Sequence, residues 1–226
     1  MNAAELGALR DLGTLVKWLK IALAVLVTAS RASSLSSWLE IGLLTRVESG
    51  AEVPAQELAA DDLREAEIGG LYALAHLAVA ILFLRWTYCA KRNAAVLANT
   101  SLYYTPGWSV GWYFVPLANL YKPYQALKET FQASDPDFRH NWKSASAPGL
   151  LSLWWTLWLI DCFVGQAVFR ISLKATTPSE LIAGAWVNLL SALIDVPLAA
   201  AVWALASTLL RWQSGSAGTP AIVPAQ

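Results

Sequence analysis

Four runs of about twenty apolar residues decide what this chain can fold into, because a helix of that length crosses the hydrocarbon layer of a bilayer. They cover roughly residues 13–30, 68–88, 149–169 and 181–210. Only 14% of the 226 residues are charged, where a soluble domain carries roughly a quarter. The reading is an all-α fold: an integral membrane helical bundle with four transmembrane helices, one domain over residues 1–212. A Gly/Ser/Pro-rich tail, 213–226, is expected to be disordered. Net charge is zero, so the partner that composition implies is the lipid bilayer and not nucleic acid.

Lys17 and Lys20 stand near the start of the first run, where their stems can snorkel to the headgroups. Arg31 marks its far end, with the helix able to continue through Trp38 to Arg46. Acidic residues precede the run and no small-x-small cleavage site leads from it into a soluble domain. The first helix therefore reads as an uncleaved anchor after a short polar lead over 1–12. Residues 48–67 hold seven carboxylates against one arginine, Arg64, and read as a solvated loop with a helical turn or two. The second run ends in Arg85, Trp86, Lys91 and Arg92, an aromatic and basic interface anchor. Within it Gly69, Ala73, His76 and Ala80 share one face at helical spacing. His76 reads as a hydrogen-bonded packing residue, with a proton relay or ligand role as the alternative. Cys89 and Cys162 have no metal or redox spacing and are expected to be small buried residues.

Residues 93–121 carry no charge, which raises the question of a fifth span. The positive-inside rule decides against it. With four spans and the N-terminus inside, eleven Lys/Arg fall inside and five outside; a fifth span leaves eight on each side. Both termini are therefore expected in the cytoplasm. Residues 105–131 then form a membrane-seated segment, too aromatic for an ordinary loop. They are also too interrupted by Pro106, Gly107, Gly111, Pro116 and Pro123 for a spanning helix. Trp108, Trp112, Tyr113 and Phe114 suit the headgroup layer. Pro116 would break a helix, which fits a shallow or re-entrant dip packed against the spans. Asn119 can cap the next helix and Pro123 can sit in its first turn. There Tyr124, Leu127 and Phe131 make an apolar stripe opposite Lys128, Glu129 and Gln132, the pattern of an interfacial amphipathic helix. Whether the segment dips, lies at the interface or spans stays open at this stage.

The third run opens with Trp154, Trp155 and Trp158 and carries Asp161; the fourth carries Asp195. Gly184, Asn188, Ser191 and Asp195 share a face at spacings of four, three and four. Pro197 has no N–H to give the carbonyl of Leu193 and is expected to kink the helix there. An ionised side chain at mid-membrane costs at least about 2.5–3.5 kcal/mol, so both aspartates are expected to face protein or water. One reading bonds Asp195 to Asn188, Ser191 or the Leu193 carbonyl, and Asp161 to a tryptophan N–H or Gln166. The other makes Asp161, Asp195, Asn188, Ser191 and His76 a polar site on a transport path.

FLRW at Phe83–Trp86, Asn93 in KRNA, Pro106-Gly107, GWYFVPLANLYKPYQAL from Gly111, Trp142 and LWW at Leu153–Trp155 form an ordered pattern. It resembles the bacterial membrane family called domain of unknown function 4328, over roughly residues 70–210. The resemblance implies a bacterial inner-membrane protein and no particular activity. It makes Trp86, Asn93, Pro106, Gly107, Trp112, Phe114, Pro116, Asn119, Pro123, Tyr124, Trp154 and Trp155 the motif positions of interest.

The sequence holds no Gly-rich phosphate loop, no His/Cys/Glu metal cluster and no Ser-elbow with a matching histidine. No cofactor is expected, and catalysis is not the leading reading. Asp161 and Asp195 sit in Leu-Ile-Asp-Cys and Leu-Ile-Asp-Val, which lack the YD and GxGD patterns of aspartyl intramembrane proteases. Three classes follow, in this order. The first is a non-enzymatic scaffold or regulatory module with a membrane-protein partner. The second is a small transporter or channel subunit working as a homo-oligomer, and the third an enzyme on lipid-linked substrate.

Overall fold

The computed structural model describes residues 9–99 and 101–215, and among them every regular element is helical. Most of the lead expected over 1–12 and of the tail expected over 213–226 lies outside the described residues. Gln213–Gly215, however, belong to a helix. The long helices are α1 (Gly13–Glu48), α2 (Ala55–Leu97), α5 (Gly149–Ser172) and α6 (Pro178–Gly215). Between them lie the short helices α3 (Pro106–Gly111) and α4 (Lys122–Ser134). All four long helices are long and apolar enough to cross a membrane, so the fold is that of a helical membrane protein.

Two helices run well beyond their apolar stretches. In α1 the serine-rich stretch after Arg31 stays helical to Glu48. Gly50, at φ 80°, then turns the chain, its N–H bonding the Val47 carbonyl and that of Ala51 the Arg46 carbonyl, both at 3.0 Å. The acidic stretch is a loop only up to Pro54; from Ala55 it forms the opening turns of α2. Carboxylates are favourable at a helix N-terminus, and ion pairs of Arg46 with Glu57 and Arg64 with Asp61 offset their mutual repulsion. At the other end of the chain, α6 continues through Pro197.

The chain packs as two compact units, and all four long helices contribute to both. The first unit comprises Met1–Lys20, Ala80–Trp155 and Ala201–Gln226; the second comprises Ile21–Val79 and Thr156–Ala200. In the first unit Trp86, Leu127, Phe131, Leu151, Trp154 and Leu209 are fully buried. Phe83 packs on Trp86 and Trp154 at ring separations of 5.5 and 5.7 Å, and Phe131 meets Trp212 edge-on at 5.9 Å. The second unit has a slimmer core in which Leu26, Ala29 and Ala75 pack with Tyr72 and Val79. Gly184 lets α6 approach α5 there, since a Cβ would come within 3.2 Å of Ile171 Cγ2. Much apolar side-chain surface stays exposed, including Leu74, Phe163 and Leu193, as a lipid-facing surface requires. Cys162 is exposed and Cys89 only half-buried, contrary to the sequence reading. A small apolar residue facing lipid needs no burial in protein.

Candidate functional site

Among the places where polar side chains gather, two lie deep in the helix packing, one within each unit, apart from the Ser36–Asp61–Arg64–Glu65 cluster near the start of α2. In the second unit Asp195 is 4% exposed. Its Oδ2 accepts the hydroxyls of Ser30, at 2.5 Å, and Tyr72, at 2.9 Å. Arg31 donates to the Ala192 carbonyl at 2.9 Å. Two turns earlier on α6, Asn188 donates through Nδ2 to Ser33 Oγ at 3.0 Å and Ser37 Oγ at 2.8 Å. Ser191, between them, is buried. The polar face of α6 therefore meets a serine stripe on α1, and small serines allow that close approach.

The partners anticipated for Asp195, namely Asn188, Ser191 or the Leu193 carbonyl, are replaced by hydroxyls from α1 and α2. The carboxylate projects away from its own helix, so groups along α6 do not receive it. Asp161, on α5, lies within electrostatic range of both Asp195 and His76. His76 packs edge-on against Tyr72 at 4.7 Å. Asp161, His76 and Asp195, far apart in sequence, thus share one neighbourhood. Sequence reasoning missed Ser30, Ser33, Ser37 and Tyr72. Signals for them existed: the serines repeat at spacings of three and four, and Tyr72 stands one turn before His76.

In the first unit the centre is Lys91 with Glu129. From sequence both are outward charges, Lys91 in an interface anchor and Glu129 on the polar face of a surface helix. Instead Lys91 is 0% and Glu129 6% exposed, and they form an ion pair. Lys91 Nζ also donates to the Ala126 carbonyl at 3.3 Å. Glu129 Oε1 accepts the N–H of Tyr103 at 2.6 Å, and Oε2 that of Tyr104 at 3.1 Å. One carboxylate so ties α2, α4 and the stretch just ahead of the central segment together. The apolar stripe of α4 lies on protein, with Leu127 and Phe131 fully buried, while Tyr124 shares a 3.0 Å hydrogen bond with Ser152.

The motif positions take structural places around this pair. Trp86, Trp154 and Trp155 are buried. Asn93 bonds the Arg10 backbone twice, accepting its N–H at 2.8 Å and donating to its carbonyl at 2.9 Å. Pro106 and Gly107 open α3, where the Thr105 hydroxyl accepts the Trp108 N–H at 3.2 Å. Trp112 and Phe114 lie in a 3₁₀ turn, Trp112 stacked on Trp108 at 4.6 Å. Burial pushes the Tyr113 hydroxyl pKa well above its ordinary value. Pro116 and Asn119 belong to the tight turns that follow. Asn119 does not cap α4, whose N-cap is Tyr121 with no side-chain bond; Pro123 stands in the first turn. Gln213, which the sequence reading placed in the tail, is buried and donates to the Ala90 carbonyl at 3.0 Å and Ser134 Oγ at 2.8 Å.

A family model described as Domain of unknown function (DUF4328) matches residues 49–211. No curated protein and no solved structure matches the chain.

Proposed function

The chain belongs to the DUF4328 family, and we propose that it is a multi-pass protein of a bacterial inner membrane that works as a non-enzymatic scaffold or regulatory module. One observation carries the reading. Two polar groups of α6 hold helices to one another, Asp195 through Ser30 and Tyr72 and Asn188 through Ser33 and Ser37. A carboxylate 4% exposed with two hydroxyl donors offers little to a substrate. The proposed orientation puts both termini and residues 105–131 in the cytoplasm. It is supported by charge: of the sixteen Lys/Arg, eleven belong to the first unit, which holds residues 105–131, and five to the second.

Reporter fusions after Lys143 and after Lys174 test the orientation, with cytoplasm and periplasm the expected outcomes; either reversed sinks it. Native mass determination in mild detergent tests the role. A complex with a second membrane protein at fixed ratio is expected, and a homo-oligomer alone turns the argument toward a second reading.

That second reading is a small transporter or channel subunit, favoured by the grouping of Asp161, His76 and Asp195. Ionisable groups gathered inside spans are frequent marks of ion paths. Asp195→Asn keeps size and hydrogen bonding but cannot titrate. If it keeps the fold and abolishes a pH-dependent flux in liposomes, transport displaces the scaffold.

A further inference from the structure

The sharpest backbone strain among the described residues lies in the central segment. The Pro116 carbonyl accepts the N–H of Ala118 at 2.7 Å, and Leu117 between them has φ 63° and ψ −43°. This is a tight γ-turn of the positive-φ kind, which a leucine avoids unless its surroundings impose it. The turn thrusts Leu117 outward to 77% exposure, beside Phe114 at 72%. Leu120 and Tyr121 are exposed next to them. The base of this tip is tied down. Tyr113 packs edge-on against Phe83 at 6.0 Å, and the Lys122 ammonium lies 5.3–5.8 Å from the rings of Tyr121, Tyr104 and Trp112.

Two observations say what covers the tip. Phe83, against which Tyr113 packs, lies in the apolar run of α2, a helix apolar enough to cross the bilayer, so the tip stands beside a stretch of helix at membrane depth. The unit that carries it is basic, eleven Lys/Arg against five Asp/Glu, with Arg85 and Lys128 exposed. We propose that Phe114 and Leu117 form a wedge inserted into the acyl layer of the adjoining leaflet, held there among anionic headgroups. The strained turn presents two apolar side chains on a short, anchored stalk, a shape that lipid accommodates and water disfavours.

The test uses the full chain with Cys89→Ser and Cys162→Ser, reconstituted in vesicles of phosphatidylethanolamine and phosphatidylglycerol. A nitroxide is attached at Phe114→Cys, Leu117→Cys or, as a water-exposed control, Lys143→Cys. Relaxation by oxygen, which concentrates in acyl chains, is compared with relaxation by a water-soluble nickel chelate. The oxygen-to-nickel ratio is expected to be several-fold higher at both tip positions than at Lys143. It should fall when phosphatidylcholine replaces the anionic lipid. A tip ratio equal to the control overturns insertion. An immobilised label shielded from both reagents also overturns it, and points to a second copy or a protein partner. A ratio unchanged in phosphatidylcholine overturns the role of anionic headgroups.

Discussion

Replacing Glu129 by leucine should be the most damaging single change in the first unit. The substitution leaves the fully buried Lys91 ammonium with the Ala126 carbonyl, 3.3 Å away, and the Tyr104 ring, 5.7 Å from Nζ. Breaking a buried ion pair from one side costs about 3–5 kcal/mol. The N–H groups of Tyr103 and Tyr104 lose their acceptor as well. Both are part-buried, so each adds about 1 kcal/mol, the low end for an orphaned donor. A total of about 5–7 kcal/mol compares with a whole-domain stability of about 5–15 kcal/mol. At about 2–4 °C per kcal/mol for a chain of this size, the melting temperature should drop by about 10–28 °C. Heating in detergent, with the surviving folded fraction read by size exclusion, measures it. The double variant Lys91→Met with Glu129→Leu removes the orphaned charge and should recover most of the loss. About 2 kcal/mol should persist, for the two amides. A single variant that melts like wild type, or a double variant as unstable as the single, would refute a buried unpaired ammonium as the cause.

Asp195→Leu leaves the hydroxyls of Ser30 and Tyr72 without their acceptor, a loss of about 1–3 kcal/mol each. Asp195→Asn keeps an acceptor and should melt close to wild type; equal melting of both variants contradicts the assigned bonds. Asn93→Ala removes two hydrogen bonds to the Arg10 backbone, about 1 kcal/mol each. Amide exchange at Arg10 and Asp11 should quicken while that of α6 holds, and unchanged exchange means the tie is elsewhere. The Gly13 N–H, 2.7 Å from Asp11 Oδ1, holds that carboxyl below its usual 3.8. A depressed folded pKa gives stabilisation that is present above the unfolded value and lost as pH falls through the folded one. The start of α1 should therefore fray only in acid below the usual carboxylate range, and an Asp11 titration midpoint at or above 3.8 contradicts this.

What could be read from sequence and what could not follow from how far each signal reaches along the chain. Apolar run length reports what lipid must cover, so it locates α1, α2, α5 and α6. It is silent about where a helix ends in water, which Gly50 and the Arg46–Glu57 pair settle. The face of α6 was legible because a spacing of three and four belongs to one helix. Its partner Ser30 was not, because the contact joins residues 165 apart. Charge misled most, and for a reason that helix geometry corrects. Successive residues on an α-helix point about 100° apart. Lys91 and Arg92 therefore need not both face the headgroups, and Lys128 and Glu129 need not both lie on the polar face. Each pair has one member turned inward: Lys91 is buried where Arg92 is half-exposed, and Glu129 is buried where Lys128 is exposed. A charge turned inward needs its opposite, and the two inward members are of opposite sign. The ion pair that ties α2 to α4 joins residues 38 apart on two helices, so the pattern of either helix alone could not single out its inward charge.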